Sequence, residues 1–67
     1  MSLTLKGARV NAGLNQSDVA KAIKVTPTTI GNWEMGKTCP KIDQVFKLAK
    51  LYGVDVNDLI FLKSKSS

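Results

Sequence analysis

The reactive inventory of this chain is short, and what it lacks narrows its chemistry as much as what it holds. No histidine occurs among the 67 residues, so the commonest general base and the commonest neutral metal ligand are both missing. The single cysteine, Cys39, cannot build a zinc site alone, and no histidine is present to activate it as a nucleophile. It is expected as an ordinary loop residue. The five carboxylates are not paired at a spacing that suits acid–base work. The sequence therefore predicts no enzyme, no metal and no cofactor. Hydrogen bonding and charge remain. Ten lysines and arginines against five acids leave a formal charge of +5 and a pI near 9.7. On so small a body that excess gives a positive field that favours polyanions.

The elements that must position such groups read as helices. A domain this short hides only about 60% of the surface of its unfolded chain, which suits helices, since they satisfy their backbone locally. The expected fold is all-α, a compact five-helix bundle with helices at about 3–12, 16–23, 27–35, 41–52 and 56–62, no strand, and a polar, serine-rich disordered tail at 63–67. Ser2 or Thr4 is the candidate N-cap of the first helix, Leu5, Ala8 and Ala12 its apolar stripe, and Gly13 its stop. Asn15 caps the second, with Asp18 in the first turn and Val19, Ala20 and Ile23 on one face. Thr26-Pro27 opens the third in cap-then-proline order, with Ile30 and Trp33 inward and Gly36 at the end. Ile42, Val45, Phe46, Ala49 and Tyr52 form the expected buried stripe of the fourth, closed by Gly53. Asp55 caps the fifth, whose Val56, Leu59 and Ile60 are expected in the core. A free thiol without a secretory leader points to a reducing, cytoplasmic compartment. The longest apolar run, Leu59 to Leu62, is far too short to span a bilayer.

Between the second and third helices there is room only for a sharp corner. Ala20 falls where the two helices come closest, and Val19, Val25, Ile30 and Trp33 supply the contacts that fix the crossing. From Gln16 to Lys37 the chain reads Gln-Ser-Asp-Val-Ala-Lys-Ala-Ile-Lys-Val-Thr-Pro-Thr-Thr-Ile-Gly-Asn-Trp-Glu-Met-Gly-Lys. This stretch resembles the helix-turn-helix of the phage repressor and Cro family, whose docking on DNA is well described. The similarity runs from about Leu5 to Leu59. It includes Gln16, Ala20, Ile30, Trp33, Glu34 and Gly36, and downstream Pro40, Lys47-Leu48-Ala49, Gly53-Val54 and Asp58-Leu59. One departure is Lys24, which stands in the corner where the family usually places glycine.

The resemblance implies a lambda-repressor-like DNA-binding domain over residues 1–62, with the third helix as the recognition helix. Pro27, Thr28, Gly31 and Asn32 lie on the face away from Ile30 and Trp33. Thr28 and Asn32 are neighbours at i and i+4. Asn32 suits a bidentate contact to adenine N6 and N7, the Thr28 methyl suits a thymine methyl, and Gly31 leaves room for close approach. Gln16, at the positive end of the second helix, is expected on a phosphate, and Thr29, Lys37, Thr38 and Lys41 at the flank of the recognition helix. For each of these the bland reading is a solvated surface residue. Arg9, the only arginine, is expected to pair with Glu34, tying the first helix to the end of the third in the geometry that guanidinium and carboxylate share.

The resemblance further implies a transcriptional regulator, a repressor that occupies a promoter as a homodimer on a pseudo-palindrome of double-stranded DNA, with half-sites ~34 Å apart. Phe61 and Leu62 are the apolar excess at the C-terminal helix and the expected dimer interface. No small-molecule effector is expected. The chain reads as a stand-alone regulator of phage or mobile-element type, or else as a piece of a longer repressor. The alternative function is an antitoxin that binds a toxin partner and its own promoter.

Overall fold

The computed structural model describes residues 3–60. Four helices form the body: α1 (Leu5–Asn11), α2 (Gln16–Ile23), α3 (Pro27–Met35) and α4 (Ile42–Tyr52). Each start has a local cause. Thr4 accepts from the Gly7 N–H at 3.0 Å, so the chain turns helical at Leu5 and not at Leu3. Asn15 and Asp18 cap each other's backbone: the Asp18 N–H donates to Asn15 Oδ1 at 2.8 Å and the Asn15 N–H to Asp18 Oδ2 at 3.2 Å, a reciprocal box that satisfies two otherwise orphaned donors. Thr26 caps α3 with Pro27 in its first turn. Gly36 and Gly53 end α3 and α4 in the left-handed region, where the absence of Cβ removes the steric penalty.

Among the described residues there are four α-helices, and a fifth is not found. In place of a helix over 56–62, Val56–Asp58 form a single 3-10 turn capped by the Asp55 side chain, and Leu59–Ile60 (β2) run extended. They pair in parallel with Leu3–Thr4 (β1), Leu3 opposite Leu59 and Thr4 opposite Ile60. An extended pair alternates its side chains. Leu59 accordingly enters the core while Ile60 is 44% exposed, which corrects the expectation that Ile60 is buried. Phe61, Leu62 and the tail at 63–67 lie outside the described residues.

One small core joins all the elements. Leu5, Ala8, Val19, Ala20, Ile30, Trp33, Leu48, Ala49, Tyr52 and Leu59 are buried together. Here α1 packs on α3 and α4, and α2 packs on the same two helices. The buried face of α4 is Val45, Leu48, Ala49 and Tyr52. Ile42 and Phe46, placed inward from the sequence, are 70% and 57% exposed. They continue the helical period but fall on the flank that no other element covers. Among the described residues no helix is long and apolar enough to cross a membrane.

Candidate nucleic-acid interface

The corner that presents α3 is made in three residues. Lys24 adopts φ 63° and ψ 48°, and it alone among the described non-glycine residues has positive φ. The Lys24 N–H donates to the Ala20 carbonyl, and the Val25 N–H donates to the same oxygen at 2.9 Å. Thr26 then returns to extended backbone and caps α3. A side chain in the left-handed region costs about 1–2 kcal/mol. Val25, half-buried against the core, and the shared Ala20 carbonyl hold it there. Ala20 is buried where α2 meets α3, so no side chain props the two helices apart.

Within α3, Ile30, Trp33 and Glu34 are buried, and Trp33 is therefore a core residue and not a stacking platform. Pro27 and Thr28 are exposed; Gly31 and Asn32 are half-buried. Thr29 is half-buried with its N–H on Thr26 Oγ1 at 3.2 Å and its hydroxyl 2.9 Å from the same atom. The Gln16 side chain of α2 lies over Gly31. A Cβ at Gly31 would meet Gln16 Nε2 at 3.5 Å, ordinary contact. Lys37 and Thr38, just beyond Gly36, and Lys41, the N-cap of α4, are exposed, as is Cys39 between them. The Lys37 N–H donates to the Asn32 carbonyl at 2.9 Å, so the loop departs from a closed helix end.

A buried charge network sets the orientation of α3. Arg9 Nε donates to Glu34 Oε2 at 2.6 Å and Arg9 Nη2 to Glu34 Oε1 at 3.3 Å. Arg9 Nη1 reaches the Leu14 carbonyl at 3.0 Å, and Gln16 Nε2 donates to Glu34 Oε1 at 3.0 Å. Arg9 and Glu34 are 9% and 8% exposed. Four segments are thus tied through the Arg9–Glu34 pair: α1 and the start of α2 donate to the Glu34 carboxylate at the end of α3, and Arg9 also holds the carbonyl of the loop after α1. The bond to Glu34 holds the Arg9 guanidinium above its ordinary pKa range. Burial, reinforced by the Glu34 carboxylate, pushes the Tyr52 phenol up to about 12. An amide has two donors and an acceptor, so Gln16 gives one N–H to Glu34 and keeps the rest beside Gly31.

The role of Gln16 and Leu14 in this network has no local signature. Gln16 and Glu34 are eighteen residues apart, and only the corner brings them together. Among the described residues no group of three or more potential ligands is placed to hold a metal.

The profile of the helix-turn-helix family matches residues 5–59. The transcriptional repressor RstR of the cryptic phage CTXphi, from Vibrio cholerae, is 41% identical over 59 residues, which cover 88% of this chain and 53% of the repressor. An uncharacterized HTH-type transcriptional regulator of Methanocaldococcus jannaschii is 39% identical over 59 residues, 88% of this chain and 89% of its own length. The HTH-type transcriptional regulator DdrOP3 of Deinococcus deserti is 32% identical over 56 residues, 84% of this chain and 43% of the regulator. The chain therefore spans about half the length of the first and third of these relatives. No solved structure matches significantly. A profile match over nearly all the described residues, joined to a relative matched almost end to end, settles membership: the chain belongs to the helix-turn-helix family.

Proposed function

We propose that this protein binds double-stranded DNA with α3 in the major groove and regulates transcription, as a repressor that acts as a homodimer on a pseudo-palindromic operator. The observation that carries the proposal is the polar, small-residue face of α3, held rigid from behind. Ile30, Trp33 and the Arg9–Glu34–Gln16 network fix the helix, while Pro27, Thr28, Gly31 and Asn32 offer no bulk that would keep a groove at a distance. The positive charge and the relatives named as transcriptional regulators support the same reading.

In this reading Thr28 and Asn32 read base edges, with Pro27 and Gly31 shaping the approach. Gln16, Thr29, Lys37, Thr38 and Lys41 grip phosphates. The free part of the Gln16 amide, together with the first N–H groups of α2, forms an anion site at a positive dipole end. The Thr29 hydroxyl is engaged with Thr26, yet its remaining hydrogen-bonding capacity leaves it able to meet a phosphate. Phe61 and Leu62 are proposed as the dimer contact, continuing from the exposed Ile60.

Selection from random duplex DNA tests the proposal. The expected product is an inverted repeat whose half-site centres lie about 10 base pairs apart or at a multiple of that. A pool that shows no enriched motif, with weak binding that ignores sequence, would overturn it.

A further inference from the structure

A shallow groove lies between the C-terminal part of α2 and the middle and end of α4. Ala22, Ile23, Lys47, Lys50 and Leu51 line it. Its floor is apolar: Ile23 and Leu51 are half-buried, with their inner sides on the core, and Ala22 is exposed. Its charged lining is of one sign. Lys47 and Lys50 are both exposed, and no carboxylate lines the groove. Asp43, the only acid of α4, precedes Lys47 by one turn and is not among the lining residues.

We infer that this groove docks an acidic, amphipathic segment of a partner protein, which inserts an apolar side chain over Ala22, Ile23 and Leu51 and sets carboxylates against Lys47 and Lys50. Charge complementarity decides the occupant. A second copy of this chain carries the same +5 charge. The chain's own residues 61–67, Phe-Leu-Lys-Ser-Lys-Ser-Ser, contain two lysines and no acid, so the first is repelled by its net charge and the second would bring like charge to the two lysines. A DNA backbone would satisfy the lysines but offers nothing apolar for the floor. An acidic amphipathic peptide satisfies both, since an apolar anchor in a pocket supplies affinity and a charged rim supplies partner choice and on-rate. Lys47 and Lys50 are three apart on α4 and so lie on one side of the helix. Carboxylates spaced by one turn on a partner helix match them.

The test uses the full chain, labelled for backbone amide spectroscopy. The probe is a synthetic helical peptide with leucines on one face and glutamates beside them, and the control replaces each glutamate by glutamine. The expected result is saturable shifts centred on Ala22, Ile23, Lys47, Lys50 and Leu51 with the glutamate peptide. The glutamine control should bind at least about tenfold more weakly, a loss of ~1.4 kcal/mol. Lys47→Gln with Lys50→Gln should weaken the acidic peptide by a similar factor and lower the melting temperature only slightly, because both side chains are exposed and the change loses only the favourable placement of Lys50 in the last turn of α4 and of Lys47 one turn after Asp43. No perturbation at about millimolar peptide, equal binding of the glutamine control, or shifts centred on α3 would overturn the proposal. So would duplex DNA shifting the Lys47 and Lys50 amides as strongly as those of Thr28 and Asn32, since the groove would then be a phosphate contact.

Discussion

Glu34 anchors α3 because three donors converge on its buried carboxylate: Arg9 Nε, Arg9 Nη2 and Gln16 Nε2. Such a cluster adds little net stability over an apolar replacement, but removing one partner leaves the other charge buried and unpaired. Glu34→Ala should therefore cost about 3 kcal/mol in urea unfolding. Arg9→Met combined with Glu34→Leu should cost much less than the two single changes added together. Strict additivity would mean that the two side chains do not work as a pair. Gly31 gives a second test at this scale. An alanine there meets Gln16 only at ordinary contact distance, and alanine favours a helix over glycine by about 0.5–1 kcal/mol. Gly31→Ala should thus raise stability while weakening operator binding about tenfold, ~1.4 kcal/mol, because the methyl fills the space beside the Gln16 amide that is proposed to meet DNA. Unchanged DNA affinity in a stabilised variant would show that Gly31 does not face the groove.

At the scale of elements, the α2–α3 corner is the strained part. Lys24 occupies the left-handed region without being glycine, and its N–H and that of Val25 both depend on the Ala20 carbonyl. Lys24→Gly should stabilise the protein by about 1 kcal/mol, somewhat reduced by the greater freedom of glycine in the unfolded chain. A melting temperature raised by about 4–8 °C would follow, and a lowered one would mean that the lysine side chain supports the corner. The elements also show which parts of the fold a sequence can disclose. Asn15 with Asp18, Thr26 with Pro27, and the closing glycines at 36 and 53 are legible because capping is settled within three or four residues. The buried face of α4 is not. Of the stripe Ile42, Val45, Phe46, Ala49 and Tyr52 read from the sequence, Val45, Ala49 and Tyr52 are buried, while Leu48 takes the place of Ile42 and Phe46, because the position of α1 and α2 decides which flank is covered. The β1–β2 pairing is equally hidden. Two-residue strands carry no period, and the extended form of Leu59–Ile60 depends on Leu3 at the opposite end of the chain.

For the whole molecule, the proposed division of labour is between a face of α3 that reads and a body that holds it. The body is small, and its buried residues are shared among all four helices. Membership of the helix-turn-helix family was legible because the corner, the inward Ile30 and Trp33, and the Arg9–Glu34 spacing occur in one order over nearly the whole chain. The part Gln16 plays was not, since its contact with Glu34 exists only after α2 and α3 have crossed. The central claim, that Asn32 reads bases while Lys37 holds phosphate, is tested most directly by titrating the selected operator and a scrambled duplex at several salt concentrations with the wild type, Asn32→Ala and Lys37→Ala. Asn32→Ala should lose about 1–3 kcal/mol on the operator alone, relax one base position and keep the salt slope. Lys37→Ala should weaken both duplexes by the same factor and reduce the slope by about 1. If Asn32→Ala weakens both duplexes equally, or leaves operator binding unchanged, α3 does not read sequence through this residue and the account is wrong.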